Sequence, residues 1–184
     1  SLTSLYETFY GAGSMNVGLG LWDVSKVVTM HSTFHNAAKF EGAGLNSWNT
    51  GAVKNLVSTF DGAVGMSSAS LAKWDVSRVT SLKRTFYKTS SMNSDFSGWD
   101  VSKVGSMAWT FNYADKFVGT GLSTWNTVST TNLKFTFYHA GSMNVDVSKW
   151  VVSEVTNMDQ TFHNAVSFVG TGLDTWNVAK VTAD

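Results

Sequence analysis

The sequence predicts a right-handed α/β solenoid of about seven turns, and three observations predict it. Trp recurs at residues 22, 48, 74, 99, 125, 150 and 176, at intervals of 26, 26, 25, 26, 25 and 26. The dipeptide Thr-Phe begins at residues 8, 33, 59, 85, 110, 136 and 161 and keeps the same beat. Three residues after that Phe stands Ala12, Ala37, Ala63, Ala114, Ala140 or Ala165, with Thr89 the one departure. A period of ~20–50 residues marks an array whose units bury their apolar faces only by stacking on neighbours. The whole chain, residues 1–184, is therefore expected to be one repeat domain without a linker, its turns anchored at the seven Trp residues. It opens in mid-repeat with SLTSLYETF and stops in mid-repeat with WNVAKVTAD. Because solenoid ends need polar caps, we expect a segment of a longer array, or ends covered by something else.

Each turn reads as two elements. Apolar residues at Val27, Met30, Phe34, Ala37 and Phe40 step by 3, 4, 3 and 3, the stripe of a short α or 3₁₀ helix. The half that follows reads Leu45-x-x-Trp48-x-Thr50, Leu71-x-x-Trp74-x-Val76 and Phe96-x-x-Trp99-x-Val101. Its last three residues alternate as a short strand does. A short strand plus a short helix in 25–26 residues is the leucine-rich-repeat plan.

The phrase WDVSKV-x-x-M-x-x-x-F-x-x-A-x-x-F, closed by Trp, resembles the BspA-like leucine-rich repeats of bacterial and protist surface proteins. The resemblance covers essentially the whole chain. It departs in one respect: Thr stands before the central Phe where those repeats usually carry Met. It implies a secreted or cell-surface array used in adhesion and partner binding, with no catalytic residue to carry over.

Composition narrows the function classes. Thirteen basic residues balance 13 acidic ones with no basic run, which argues against a nucleic-acid partner or a membrane-surface patch. No apolar stretch approaches the ~20 residues of a membrane span. The absence of Cys excludes disulfides and thiolate metal sites.

Turn length alternates. Short turns carry Ser-Met-Asn with seven residues from Met to Trp (Met15, Met92, Met143), and long turns carry Phe-x-Gly-x-Gly-Leu with eight (Phe40, Phe117, Phe168). The third turn, MSSASLAKW, is long but lacks both signatures. The pairs Gly42/Gly44, Gly119/Gly121 and Gly170/Gly172 precede a strand instead of opening a helix, so they read as turn residues and not as a phosphate loop.

Asp23, Asn49, Asp75, Asp100, Asn126 and Asn177 each follow a Trp and form a strand-face ladder that Val151 interrupts. Asp75 and Asp100, one strand apart, invite comparison with a glycosidase pair; support of a local turn is the simpler expectation. His31 and His35 are four apart and could face one metal, but HSTFH lacks the Glu of a metalloprotease motif. His163 shares the position of His35, which holds Tyr10, Tyr87 and Tyr138 in other turns. A half-exposed aromatic ladder is the simpler reading, so no metal or cofactor is expected and no enzymatic activity.

The position two before the central Phe holds Glu7, Ser32, Ser58, Arg84 and Gln160, and so faces water. Trp109 and Phe135 stand there in consecutive turns with Tyr113 nearby, an apolar patch of the kind that docks partners. The leading expectation is a non-enzymatic surface scaffold for protein or glycan. The alternatives are a structural subunit that self-associates through its ends, and an ice- or surface-binding array that uses the Thr repeated once per turn.

Overall fold

The computed structural model describes residues 2–67 and 69–182. Successive copies of the repeat lie on one another in chain order, joined by main-chain hydrogen bonds that recur once per copy. Met30, Ser32, Phe34 and Asn36 donate to the carbonyls of Asn55, Val57, Thr59 and Asp61 in the next copy at 2.7–3.0 Å. The N–H groups between them stay local: Thr33 donates to Met30, His35 to Ser32 and Ala37 to Phe34, at 3.0–3.2 Å. Met107, Trp109, Phe111 and Tyr113 repeat this alternation onto Asn132, Lys134, Thr136 and Tyr138.

The helix expected over Val27 to Phe40 is absent. In an α-helix every interior N–H bonds four residues back; here every second one is exported to the neighbouring copy. The export requires left-handed residues, and they are present: φ is +52° at Ser32 and +56° at Asn36. Each fills the third position of a four-residue turn, the place where a type II turn demands positive φ. Because each such turn closes over three residues, its apolar steps imitate a helix. Helical geometry among the described residues is confined to 3₁₀ turns at Leu45–Ser47, Leu122–Thr124 and Leu173–Thr175. Each follows a Gly-x-Gly pair.

The strand is displaced as well. Trp48, Trp125 and Trp176 are extended, but no named sheet forms from them among the described residues. Parallel pairing falls seven residues after the Trp, as single-residue bridges through Ser4, Thr29 and Asn55 and through Ser81, Ser106, Asn132 and Asn157. No bridge among the described residues joins Asn55 to Ser81. The interruption belongs to the irregular copy MSSASLAKW, whose Ser68 lies outside the described residues.

The interior is a set of side-chain ladders. Phe9, Phe34, Phe60, Phe86, Phe111, Phe137 and Phe162 stack face to face with centroids 5.3–5.7 Å apart. The Trp residues form a second stack at 6.0–6.4 Å from Trp48 to Trp74 and from Trp99 through Trp176. The six anchoring Trp residues from Trp48 to Trp176, the surface Trp109 apart, each donate their indole N–H to a carbonyl of the preceding copy, Leu19 for Trp48 and Leu71 for Trp99, at 2.8–3.2 Å. Thr130 stands where other copies place Val; it is buried and its hydroxyl donates to Val104 O at 3.0 Å. Thr89, in the Ala position, donates to Phe86 O at 2.7 Å. Each polar departure from the pattern thus carries its own acceptor, as burial demands.

The two turn signatures interlock. Asn16, Asn93 and Asn144 of Ser-Met-Asn accept from the N–H of Glu41, Val118 and Val169 in the following long copy, each at 3.2 Å. Gly44, Gly121 and Gly172 have φ near +90°. A Cβ on any of them would collide with the backbone nitrogen of Gly20, Ser97 or Ser148 in the preceding short copy.

Candidate functional site

The Asp/Asn ladder is structural. Asp75 and Asp100 accept from the N–H groups of Ser77 and Ser102 at 2.9 and 3.0 Å. Asn49, Asn126 and Asn177 do the same for Gly51, Val128 and Ala179 at 3.2 Å. Asp23 accepts from both the hydroxyl and the N–H of Ser25. These are Asx turns, each side chain bonding the backbone two residues on. Donation by the Ser hydroxyl and then by the Ser N–H holds the carboxyls of Asp23, Asp75 and Asp100 below the usual carboxylate range. All three are therefore charged at neutral pH, whereas a glycosidase pair needs one proton held by a raised pKa. A second, parallel ladder escaped the sequence reading: Asn55, Asn132 and Asn157 accept from Val57, Lys134 and Asp159 at 2.9 Å.

The Thr ladder points inward. Thr33, Thr59, Thr85, Thr110 and Thr136 are fully buried and Thr161 is 4% exposed. Each hydroxyl lies 2.7–3.0 Å from two carbonyls, one three residues back and one in the preceding copy; Thr110 bridges Met107 and Leu82. Thr8 of the first copy is exposed, and the other six hydroxyls are spent inside the stack, so the ladder presents no outward row of hydroxyls. The departure from Met has a physical reason too: a thioether could donate to neither carbonyl.

His31 and His35 do not converge on a metal. His31 stacks on Tyr6 at 5.2 Å and His35 on Tyr10 at 4.5 Å. No group of three or more metal-ligating side chains occurs among the described residues.

What remains is an outer strip, made by the two residues before each buried Thr and by the second and third residues after the Thr's own neighbour Phe is counted as the first. In the Trp74 copy these are Lys83, Arg84, Tyr87 and Lys88; in the Trp99 copy Trp109 and Tyr113, with Ala108 and Asn112 buried beside them; in the Trp125 copy Lys134, Phe135, Tyr138 and His139. Trp109 and Phe135 are half-buried and stack at 5.6 Å with planes 7° apart. Tyr113 is exposed and stacks on His139 at 4.7 Å. Tyr138 stacks on His163 at 4.9 Å. The structure thus brings Trp109, Phe135 and Tyr113 onto one surface and adds Tyr138 and His139 to it.

Cations lie over these rings. Lys83 Nζ is 5.5 Å from the Trp109 centroid, and Arg84 is 4.0 Å from that of Tyr87. Lys88 Nζ is 5.2 Å from Tyr87, and Lys134 Nζ is 5.5 Å from Phe135. Arg84 Nε also donates to Asp61 at 2.7 Å, and Lys134 pairs with Asp159 at 3.1 Å. Trp109, Tyr113 and Phe135 sit at φ of +55° to +57°, a region bulky residues seldom occupy. The local fold sets that conformation, since Ser32, Ser58, Arg84 and Gln160 share it.

The model of a protein family described as "Mycoplasma protein of unknown function, DUF285" matches residues 3–120 and 96–184. The chain belongs to this family. In this DUF285 chain the two matches overlap over 96–120, so the matched unit is longer than one copy. No curated protein and no solved structure matches.

The sequence expectation names Trp109, Phe135 and Tyr113 as a partner-binding patch. The structure sets Arg84, Lys88, Tyr138 and His139 beside them, of which Lys88 and His139 are not singled out by that expectation. The signal was available. Asn36, Lys88, Tyr113, His139 and Asn164 occupy one repeat position and vary as freely as the water-facing position four residues earlier. Gly11 and Gly62 share that position, and Gly and Asn are the residues a left-handed site attracts.

Proposed function

We propose that this chain is a non-enzymatic binding scaffold, a right-handed leucine-rich-repeat-like solenoid of the BspA type displayed on a cell surface or secreted. Its outer strip contacts a protein or glycan partner. One observation carries the reading: aromatic residues cluster in consecutive copies at positions where other copies hold Ser, Gln or Glu. The position is buried at Ser32 and Ser58, against the expectation that it faces water throughout, and exposed at Glu7 and Gln160. It is half-buried at Trp109 and Phe135, whose rings lie outside the buried Phe and Trp stacks. Large half-exposed aromatics flanked by Arg and Lys are the side chains that dominate binding hot spots.

The test is a screen of protein and glycan libraries against the immobilised chain, repeated with Trp109→Ser/Phe135→Ser. The double variant should lose any genuine ligand at least about tenfold while keeping its melting temperature within a few degrees. Binding that survives the double substitution would overturn this reading. Solution mass across a concentration series separates it from self-assembly: a constant mass near 20 kDa supports a scaffold, and growth into rods supports a structural subunit.

A further inference from the structure

Resting on that reading, we infer that the partner the strip fits is an acidic, extended protein segment running along the stack across the Trp74, Trp99 and Trp125 copies.

The first argument is which part of each ring is free. Sugars and nucleobases bind aromatic side chains through an open ring face. Trp109 has none: Phe135 of the next copy covers one face and Lys83 of the preceding copy lies over the other. Tyr87 has Arg84 and Lys88 over its ring. Tyr113 and Tyr138 are stacked on His139 and His163. Trp109 and Tyr87 therefore offer solvent their ring edges, while Tyr113 and Tyr138 each have one face covered by a His. An aromatic edge is the positive end of the ring quadrupole, so it attracts carboxylate oxygen while its carbon rim offers apolar contact.

The second argument is charge. Across the three copies the strip carries Lys83, Arg84, Lys88 and Lys134 and no acidic residue. Asp61 and Asp159, in the flanking copies, occupy Arg84 and Lys134. Lys83 and Lys88 are exposed and make ring contacts, with no ion pair to a described carboxylate. In the first copies the equivalent positions hold Glu7 and Asp61 and no Lys or Arg. The excess is thus local, on a chain whose formal net charge is +0.

Two exposed ammonium groups that lie over aromatic rings suit carboxylates spaced between apolar side chains. A nucleic acid or sulfated glycan would seek a denser cationic track. With 5.6 Å between stacked rings of adjacent copies, three copies span roughly 11 Å. About four extended residues cover that distance at ~3.3 Å each.

The test uses a fluorescent peptide of about eight residues mixing Glu, Asp and Leu, sized on that spacing. Its controls replace the acids with Gln and Asn or with Lys and Arg. Poly-dT of similar length, a heparin fragment and cellohexaose complete the panel. The acidic peptide alone should bind measurably, and Lys83→Glu/Lys88→Glu should weaken it at least about tenfold without moving the melting temperature. Raising salt from about 0.05 to about 0.5 M should weaken it several-fold. Binding of the acidic peptide that ignores Lys83→Glu/Lys88→Glu, or equal binding of heparin or poly-dT, overturns the inference. A neutral peptide or cellohexaose held through Trp109 and Phe135 overturns it too, but leaves the scaffold reading standing. Failure of every probe, together with library ligands indifferent to Trp109→Ser/Phe135→Ser, overturns both.

Discussion

Trp109 and Thr110 share a peptide bond but belong to different regions. Thr110 is buried and is Thr in all seven copies; Trp109 faces outward, and its position holds five other residue types. Both sit in the same repeated backbone, so the difference cannot come from local geometry. It comes from what each side chain must satisfy. The Thr hydroxyl reaches two carbonyls in adjacent copies, and Ser or Val would lose either the methyl packing or the bonds. The outer position asks only for a left-handed φ near +55°, which costs an L-residue about 1–2 kcal/mol whichever side chain it bears. Inner ladders fix identity; the outer strip fixes only conformation and leaves chemistry open.

The sharpest way to break the comparison is at the inner stack. Phe86→Ala removes a ring sandwiched between Phe60 and Phe111 and should cost about 3–5 kcal/mol in chemical denaturation. A midpoint unchanged by it would mean the ladders do not hold the stack together. Next comes Gly121→Ala, where φ is +89° and the new methyl meets Ser97 backbone. Strain plus overpacking should cost about 2–4 kcal/mol, whereas the same change at Gly18, with open space around it, should be almost silent.

Thr110→Val keeps the shape and deletes the donor. Leu82 O and Met107 O retain backbone partners, so about 1–2 kcal/mol is expected, read as a shift in thermal midpoint. On the outer strip the sign should reverse. Gln160, exposed at φ +49°, should become no less stable and up to about 1 kcal/mol more stable as Gln160→Gly. A loss there comparable to Thr110→Val would erase the distinction between the regions.

The smallest effect is electrostatic. The carboxyls of Asp75 and Asp100 titrate lower when folded than when unfolded, chiefly through the Ser77 and Ser102 hydroxyls. Their contribution is present above the unfolded value of about 3.9 and is lost as pH falls through the folded value. Asp75→Asn/Asp100→Asn should keep both turns, since Asn49 and Asn126 already cap theirs, and should flatten the stability slope below about pH 4. A double variant with the parent's slope would place the acid sensitivity elsewhere.

Much of this was legible from the period alone. Away from the two ends of the stack, where Trp22 is exposed and Phe9 and Trp176 are partly buried, Trp, Phe and Ala of the repeat fall inside as their fixed spacing requires. Trp109 and Phe135 share a surface because they share a repeat position. The elements were not legible. Steps of three and four residues suit both a helix and a chain of type II turns, and only the φ sign at Ser32 and Asn36 separates them. Gly11 and Gly62 at the Asn36 position carried that sign in plain letters. The cation pairs over Tyr87 and Trp109 were invisible for another reason: they join residues a full copy apart, or on one turn whose curvature the period does not encode.

The fit of Gly44, Gly121 and Gly172 against Gly20, Ser97 and Ser148 has a consequence for how such a chain can change length. A Gly-x-Gly copy fits against a short one beneath it, so the unit that preserves this fit when duplicated or lost is the pair, 51 residues from Trp74 to Trp125 and again from Trp125 to Trp176. Inserting or removing one copy would set like against like, and the MSSASLAKW copy, long upon long and without either signature, is such a junction. The array behaves as a crystal with a two-copy cell, and its third layer is a stacking fault.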